Sequence, residues 1–221
     1  MKVVLLPVKD PVHAKQRLAN YLSPRERQEL DWAMLEDVTR ALRAATKPDR
    51  IVAVTCSKSV LRHAVDNGWQ VIEEKEQISE SQSVDLSSQL LRRQGASVLL
   101  CLPGDIPLLE PKDVDFLLSF ESEPGSAIIV PSRDGTGTNA LLRTPPDAFS
   151  SRFGKNSFFR HQQEAKRRGV KLRVTENPRI SLDLDELSDL LHFIRLDGET
   201  RTAEVLKRFD SLKRFHSLRR F

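Results

Sequence analysis

The chain has 221 residues, 39% of them hydrophobic, enough for one substantial core and short for two full domains. Its 35 basic and 31 acidic residues nearly cancel to +4, so charge demands no nucleic-acid partner and suits small anionic substrates. No apolar run approaches the roughly 20 residues that cross a bilayer, and the N-terminus carries no signal-peptide pattern, so a cytoplasmic protein without a membrane partner is expected.

Residues 3–8 read as a first strand, followed by a polar loop over 9–22 that carries Lys9, Lys15 and Arg17. Ser23-Pro24-Arg25-Glu26 has the form of a capping box with proline at the first helical position. Leu30, Met34, Val38, Ala41, Leu42 and Ala45 then recur at helical spacing. A strand over 51–55, a short helix ending near Gly68 and a strand over 69–72 make a β-α-β unit. A helix over 83–94, a strand over 97–102, a helix over 111–120 and a strand over 127–130 continue it. Such alternation predicts a parallel sheet with right-handed crossovers. Cys56 and Cys101, the only cysteines, fall at or within predicted strands and read as ordinary core thiols.

The run Val98-Leu99-Leu100-Cys101-Leu102-Pro103-Gly104-Asp105 is the most informative. An apolar run without alternation suits a strand buried on both faces, and ligands of open parallel sheets bind beyond the carboxyl ends of the strands. Asp105 sits there, at a Pro/Gly-marked turn, and is a candidate metal or phosphate-site residue.

Beyond residue 131 two polar, Gly-bearing segments look like binding loops: Asp134-Gly135-Thr136-Gly137-Thr138-Asn139 and Phe153-Gly154-Lys155-Asn156-Ser157. A strand over 140–143, a helix over 157–168, a strand over 170–174 and an extended core segment over 180–185 complete the unit, with helix over 186–196. Residues 1–209 are expected to form one domain and 210–221 a basic tail. Over the last fifteen residues Lys207-Arg208-Phe209, Lys213-Arg214-Phe215 and Arg219-Arg220-Phe221 recur every six residues, and a frayed or self-docked terminal helix is the favoured reading.

Three constellations carry chemistry. Lys9, Lys15 and Arg17 can neutralise a triphosphate, although a solvated basic loop explains them equally well. Asp105, Asp183 and Asp185 can share Mg²⁺, since alternation puts Asp183 and Asp185 on one side and Leu182 and Leu184 on the other. A turn at Asp105 and a helix cap at Asp185 are the equal alternative. Gly135, Gly137 and Gly154, with the hydroxyls of Thr138 and Ser157, can form a second anion pocket. His161 lies nearby and reads as a surface helix histidine. Walker, nucleophile-elbow and zinc-ligand patterns are missing.

Taken in order, Pro7-Val8-Lys9, Ala14-Lys15-Gln16-Arg17-Leu18-Ala19, the segment from Leu102 to Leu109, the run from Asp134 to Leu142, Phe153-Gly154 with Ser157 and His161, and Leu182-Asp183-Leu184-Asp185 resemble the CofC/FbiD family of guanylyltransferases in coenzyme F420 biosynthesis. The resemblance implies a nucleotidyltransferase fold, an α/β, GT-A-like and Rossmann-like three-layer sandwich with a mostly parallel sheet. It also implies transfer of GMP from GTP to 2-phospho-L-lactate or phosphoenolpyruvate with release of pyrophosphate. By motif, Asp105, Asp183 and Asp185 would hold Mg²⁺, and Thr138, Gly154 and Ser157 would hold the phosphoacid. Lys9, Lys15 and Arg17 would face the GTP phosphates, placing Asp105, Lys15 and Arg17 at the chemistry. Where related enzymes carry a Gly-Leu-Asn-type segment, this chain has Ser83-Val84-Asp85-Leu86-Ser87, with Asp85 the candidate nucleotide contact. The usual Asp-Thr-Pro-Glu-Asp close is replaced by Asp185-Glu186-Leu187-Ser188-Asp189, and register favours Asp185 as the ligand. The implied partners are GTP and a small phosphoacid, and a homodimer is permitted. The rival expectations are a nucleotidyltransferase for another phosphorylated acceptor and a non-catalytic nucleotide-binding regulator.

Overall fold

The computed structural model describes residues 1–76, 78–120, 123–196 and 198–212. In chain order the elements are β1 (Lys2–Pro7), α1 (Pro24–Ala44), β2 (Arg50–Thr55), α2 (Lys58–Asp66), β3 (Gln70–Glu73), α3 (Glu80–Arg93), β4 (Val98–Cys101) and α4 (Pro111–Ser119). They continue with β5 (Ser126–Pro131), β6 (Thr138–Thr144), α5 (Ser157–Arg167), β7 (Lys171–Val174), α6 (Pro178–Ser181), α7 (Leu187–Leu196) and α8 (Arg201–Arg208). Short 3₁₀ turns occupy Pro11–His13, Gln16–Leu18 and Asp210–Leu212. No described helix is long and apolar enough to cross a membrane.

Local chemistry explains the element ends. α1 starts at the capping box read from the sequence: Glu26 N donates to Ser23 Oγ, and Ser23 N donates back to the Glu26 carboxylate at 2.8 Å. α3 begins three residues before its expected start because Ser79 caps it, accepting from Gln82 N. Its buried face, with Ser83, Val84, Ser87, Ser88 and Leu91, follows the helical period.

The seven strands form one sheet in the order β3-β2-β1-β4-β6-β5-β7. β1 runs parallel to β2 and β4, β2 to β3, and β5 to β7. β6 is antiparallel to both β4 and β5, a departure from the parallel sheet predicted by alternation alone. The reason is the connection: residues 132–137 between β5 and β6 are too few for a crossover, so the chain doubles back. The strand order turns around between β1 and β4, which opens a crevice at their carboxyl ends.

Helices cover both faces of the sheet. On one face, Val4, Leu6, Ala53, Leu100, Ile128 and Leu142 pack with residues of α1, α2 and α4. On the other, Val3, Leu5, Val52, Leu99, Cys101 and Leu141 pack with Val84 and Leu91 of α3 and Ala165 of α5. Cys101 is buried as expected of a core thiol, whereas Cys56 is only half-buried. A third cluster joins Leu18 and Leu22 to Leu30 and Met34 of α1, to Leu182 and Leu184, and to apolar residues of α7 and α8. This cluster pins two site-bearing loops at once.

Two expectations are corrected. The 180–185 segment is not a strand: Asn177 accepts from Arg179 N and Ile180 N, Pro178 follows it, and the result is the single turn of α6. Residues 182–185 then run irregularly, yet Leu182 and Leu184 still face the core. α8 has no counterpart in the sequence reading. It buries Val205 and Leu206, and Phe209 follows into the same cluster, so the first basic-aromatic unit is docked. The units at 213–221 lie outside the described residues.

Candidate active site

The crevice collects residues from separate segments. Lys15, in the loop after β1, has only 4% of its side chain exposed and places its Nζ 2.6 Å from Asp105 Oδ2 and 2.7 Å from Asp185 Oδ1. Asp105 follows β4, and its carbonyl accepts from Leu184 N at 3.3 Å, tying the two aspartate segments together through the backbone. Carboxylate oxygens of Asp105, Asp183 and Asp185 all lie within 4.8 Å of one another. The third carboxylate, Asp183, accepts from Asn139 Nδ2 at 3.0 Å and has no ion pair among the described residues.

Burial opposes the charge on Lys15, but Asp105, Asp185 and Asp31 outweigh it and hold the ammonium firmly protonated. Lys15 in turn pulls the Asp185 carboxyl below its usual range. Burial, reinforced by Asp105, pushes Asp183 well above that range, against the bond from Asn139. Burial likewise raises Asp31 of α1 to about 6, with Lys15 opposing and Asp105 adding. Two carboxylates, Asp105 and Asp185, therefore pair with one buried ammonium, while Asp183 and Asp31 stand close by without an ion pair to it. An all-oxygen, carboxylate donor set is the chemistry that Mg²⁺ takes, so these residues fit that ion.

The three cations expected to act alike are divided. Lys15 is buried among carboxylates, while Arg17 is 68% exposed, 3.8 Å from Asp185 and 3.4 Å from Glu186. Lys9 is 66% exposed and 3.7 Å from Glu80 at the start of α3. Asp85 is engaged within the protein: its Oδ1 accepts from Ser151 N at 2.8 Å and lies 3.5 Å from buried Arg143.

The two glycine-bearing loops meet in one place. Ser157 Oγ donates to Thr138 Oγ1 at 3.2 Å, Phe158 N donates to Thr136 O, and Ser157 N donates to Gly154 O. Gly154 has φ +97°, a conformation that L side chains rarely adopt, so the turn before α5 needs glycine. Gly137 is needed for space, since a Cβ there would stand 2.7 Å from Ser132 Oγ, the atom that accepts its own N–H. His161 is corrected from a surface histidine to a fully buried one, bonded to Thr138.

Sequence reasoning missed Asp31, Glu80 and the contacts of Asn139 and His161. Asp31 and Glu80 lie on helices whose charged residues look like any solvated face. For His161 a signal existed, its spacing of four from Ser157, which puts both on one side of a helix.

A family model described as guanylyl transferase, CofC like, matches residues 1–217. The chain is 39% identical over 186 residues, 84% of its length, to a phosphoenolpyruvate guanylyltransferase of Rubrobacter xylanophilus, covering 90% of that protein. It is 35% identical over 205 residues to a 2-phospho-L-lactate guanylyltransferase of Methanothermobacter thermautotrophicus, covering 92% of this chain and 89% of that one. Among solved structures, a nucleotidyl transferase from a Methanothermobacter matches with a TM-score of 0.65 at 17% identity, over 89% of this chain and 99% of the other, which speaks to the fold.

Proposed function

The chain belongs to the CofC-like guanylyl transferase family, and from that premise we propose that it transfers GMP from GTP to a three-carbon phosphoacid, phosphoenolpyruvate or 2-phospho-L-lactate, releasing pyrophosphate. The observation that carries the reading is the convergence of Lys15, Asp105, Asp183 and Asp185 at the crevice between β1 and β4. The family resemblance adds the setting, the assembly of coenzyme F420.

In the proposed reaction a phosphate oxygen of the acceptor forms a bond to the α-phosphorus of GTP as the bond to the pyrophosphate leaving group breaks. No protein nucleophile takes part. The acceptor phosphate is ionised near neutral pH, so the residues have two tasks, to offset repulsion between anions and to hold them in line. Asp105, Asp183 and Asp185 would hold Mg²⁺, which supplies positive charge to the phosphate oxygens. Lys15 pairs with Asp105 and Asp185 and holds both carboxylates in place. Lys9 and Arg17, both solvent-facing, would meet the triphosphate, and the second oxygen of Asp85 is the candidate contact to the nucleotide. Thr138, Gly154 and Ser157 would hold the acceptor, Thr138 by donating its hydroxyl proton, Ser157 by bonding Thr138 from behind, and Gly154 by a side-chain-free approach.

The test is an array of GTP, ATP and CTP against phosphoenolpyruvate, 2-phospho-L-lactate and phosphoglycerate, read by pyrophosphate release and product mass. A guanosine-linked product with one of the first two acceptors is expected. Saturable nucleotide binding without release under any pairing would instead identify a regulator. Asp105→Asn should lower turnover at least about a hundredfold with an unchanged circular dichroism spectrum, the scale of losing one charged stabilising group. Ser157→Ala should chiefly raise the acceptor KM, and a weakened GTP KM with unaltered acceptor KM would overturn this division of the pockets.

A further inference from the structure

His161 is fully buried on α5, and both of its ring nitrogens are engaged. Nε2 lies 2.8 Å from the backbone N of Arg152. A backbone N–H can only donate, so Nε2 is an unprotonated acceptor. In the neutral ring the proton then resides on Nδ1, which lies 3.0 Å from Thr138 Oγ1. Burial, with Arg143, Arg160 and Arg152, lowers the imidazole pKa to about 3, which keeps the ring neutral in the working range of most enzymes.

Thr138 Oγ1 also accepts from Ser157 Oγ at 3.2 Å. A hydroxyl oxygen has two acceptor sites and one proton. With His161 Nδ1–H and Ser157 O–H filling both sites, the remaining capacity of Thr138 is donation. The surroundings hold this arrangement: the Phe153 ring meets the imidazole edge-on at 5.0 Å, and Arg152 is clamped by Glu164 of the same helix at 2.7 Å.

We propose that His161 is a positioning residue that acts through Thr138: its Nδ1–H fixes the Thr138 hydroxyl as a donor to an anionic oxygen of the phosphoacid. The inference rests on the acceptor pocket proposed above. It assigns to a buried histidine, whose two ring nitrogens are both bonded within the protein, the choice of hydrogen-bond polarity in that pocket.

The two ends of the imidazole can be replaced separately. Asn reaches the Nδ1 position and keeps an N–H for Thr138, whereas Gln reaches the Nε2 position and keeps only the acceptor for Arg152 N. His161→Gln should raise the phosphoacid KM about tenfold, the scale of one hydrogen bond, with GTP KM and kcat within about twofold. His161→Asn should restore the acceptor KM to within about threefold of the wild type. In a Thr138→Val background, His161→Gln should add nothing. Equal acceptor KM in the Asn and Gln variants, or a full His161→Gln effect in that background, would overturn the proposal. The tautomer is measured independently of folding of any variant, by ¹⁵N NMR of the ¹⁵N-histidine-labelled wild-type protein. A proton on Nδ1 is expected, and one on Nε2 would overturn it. Failure of the pocket reading is distinguishable: Thr138→Val and Ser157→Ala would then both leave the acceptor KM unchanged. If those two raise it and the His161 variants do not differ, His161 alone is excluded.

Discussion

Lys15 has φ +53°, in the left-handed region that a lysine adopts at a cost of about 1 kcal/mol relative to glycine. Glycine would relieve that backbone but supply no charge. The ammonium explains why lysine stands there: it neutralises part of a cluster whose carboxylates otherwise repel one another at close range. Removing it in Lys15→Met should cost roughly 2 kcal/mol, less than a fully buried pair because Asp185 is 41% exposed. The same variant should gain more in Tm from millimolar Mg²⁺ than the wild type does, because a divalent cation replaces the missing counter-charge. Equal metal-induced shifts in thermal melts of the two proteins would show that Lys15 is not that counter-charge. Of the candidate site residues, Asp105 was legible because a strand and a Pro/Gly turn deliver it. The burial of Lys15 was not, because a loop lysine reads the same whether solvated or enclosed.

At the level of elements, α8 shows how distant charge can start a helix. Asp37 of α1, almost fully buried, accepts from Arg201 N and Thr202 N at 2.8 Å and from Thr202 Oγ1 at 2.7 Å. The two N–H groups are donors that the first turn of α8 cannot satisfy internally. Asp37→Ala would leave Thr202 N buried without its acceptor, and a loss of about 2 kcal/mol is expected in urea denaturation. Activity of the folded fraction should be retained, since Asp37 belongs to neither pocket. α1, by contrast, was readable from four consecutive residues, because its capping box is local. α6 defeated a reading based on alternation: its Asn177-Pro178 start signals a helix, and the Leu182-to-Asp185 alternation continues on irregular backbone.

Across the whole molecule, one hydrophobic cluster couples the C-terminal helices to the site. Leu184 is fully buried in it, between Asp183 and Asp185, and its N–H reaches the carbonyl of Asp105. Leu184→Ala should destabilise the fold by about 3 kcal/mol, as a large-to-small change in a close-packed core. Below the lowered Tm, turnover should also fall, because the aspartates lose the packing that sets their spacing. Full turnover in a destabilised L184A protein would mean that the site does not depend on this anchor. Strand-helix alternation, the buried β4 run and the carboxyl-edge place of Asp105 were determined by the sequence itself, because period, apolar content and turn residues are local and additive. The antiparallel insertion of β6, the enclosure of Lys15 between Asp105 and Asp185, and the Ser157–Thr138–His161 chain were decided only in three dimensions. Each depends on which segments meet, and a side chain's burial, charge compensation and hydrogen-bond polarity are properties of its neighbours in space.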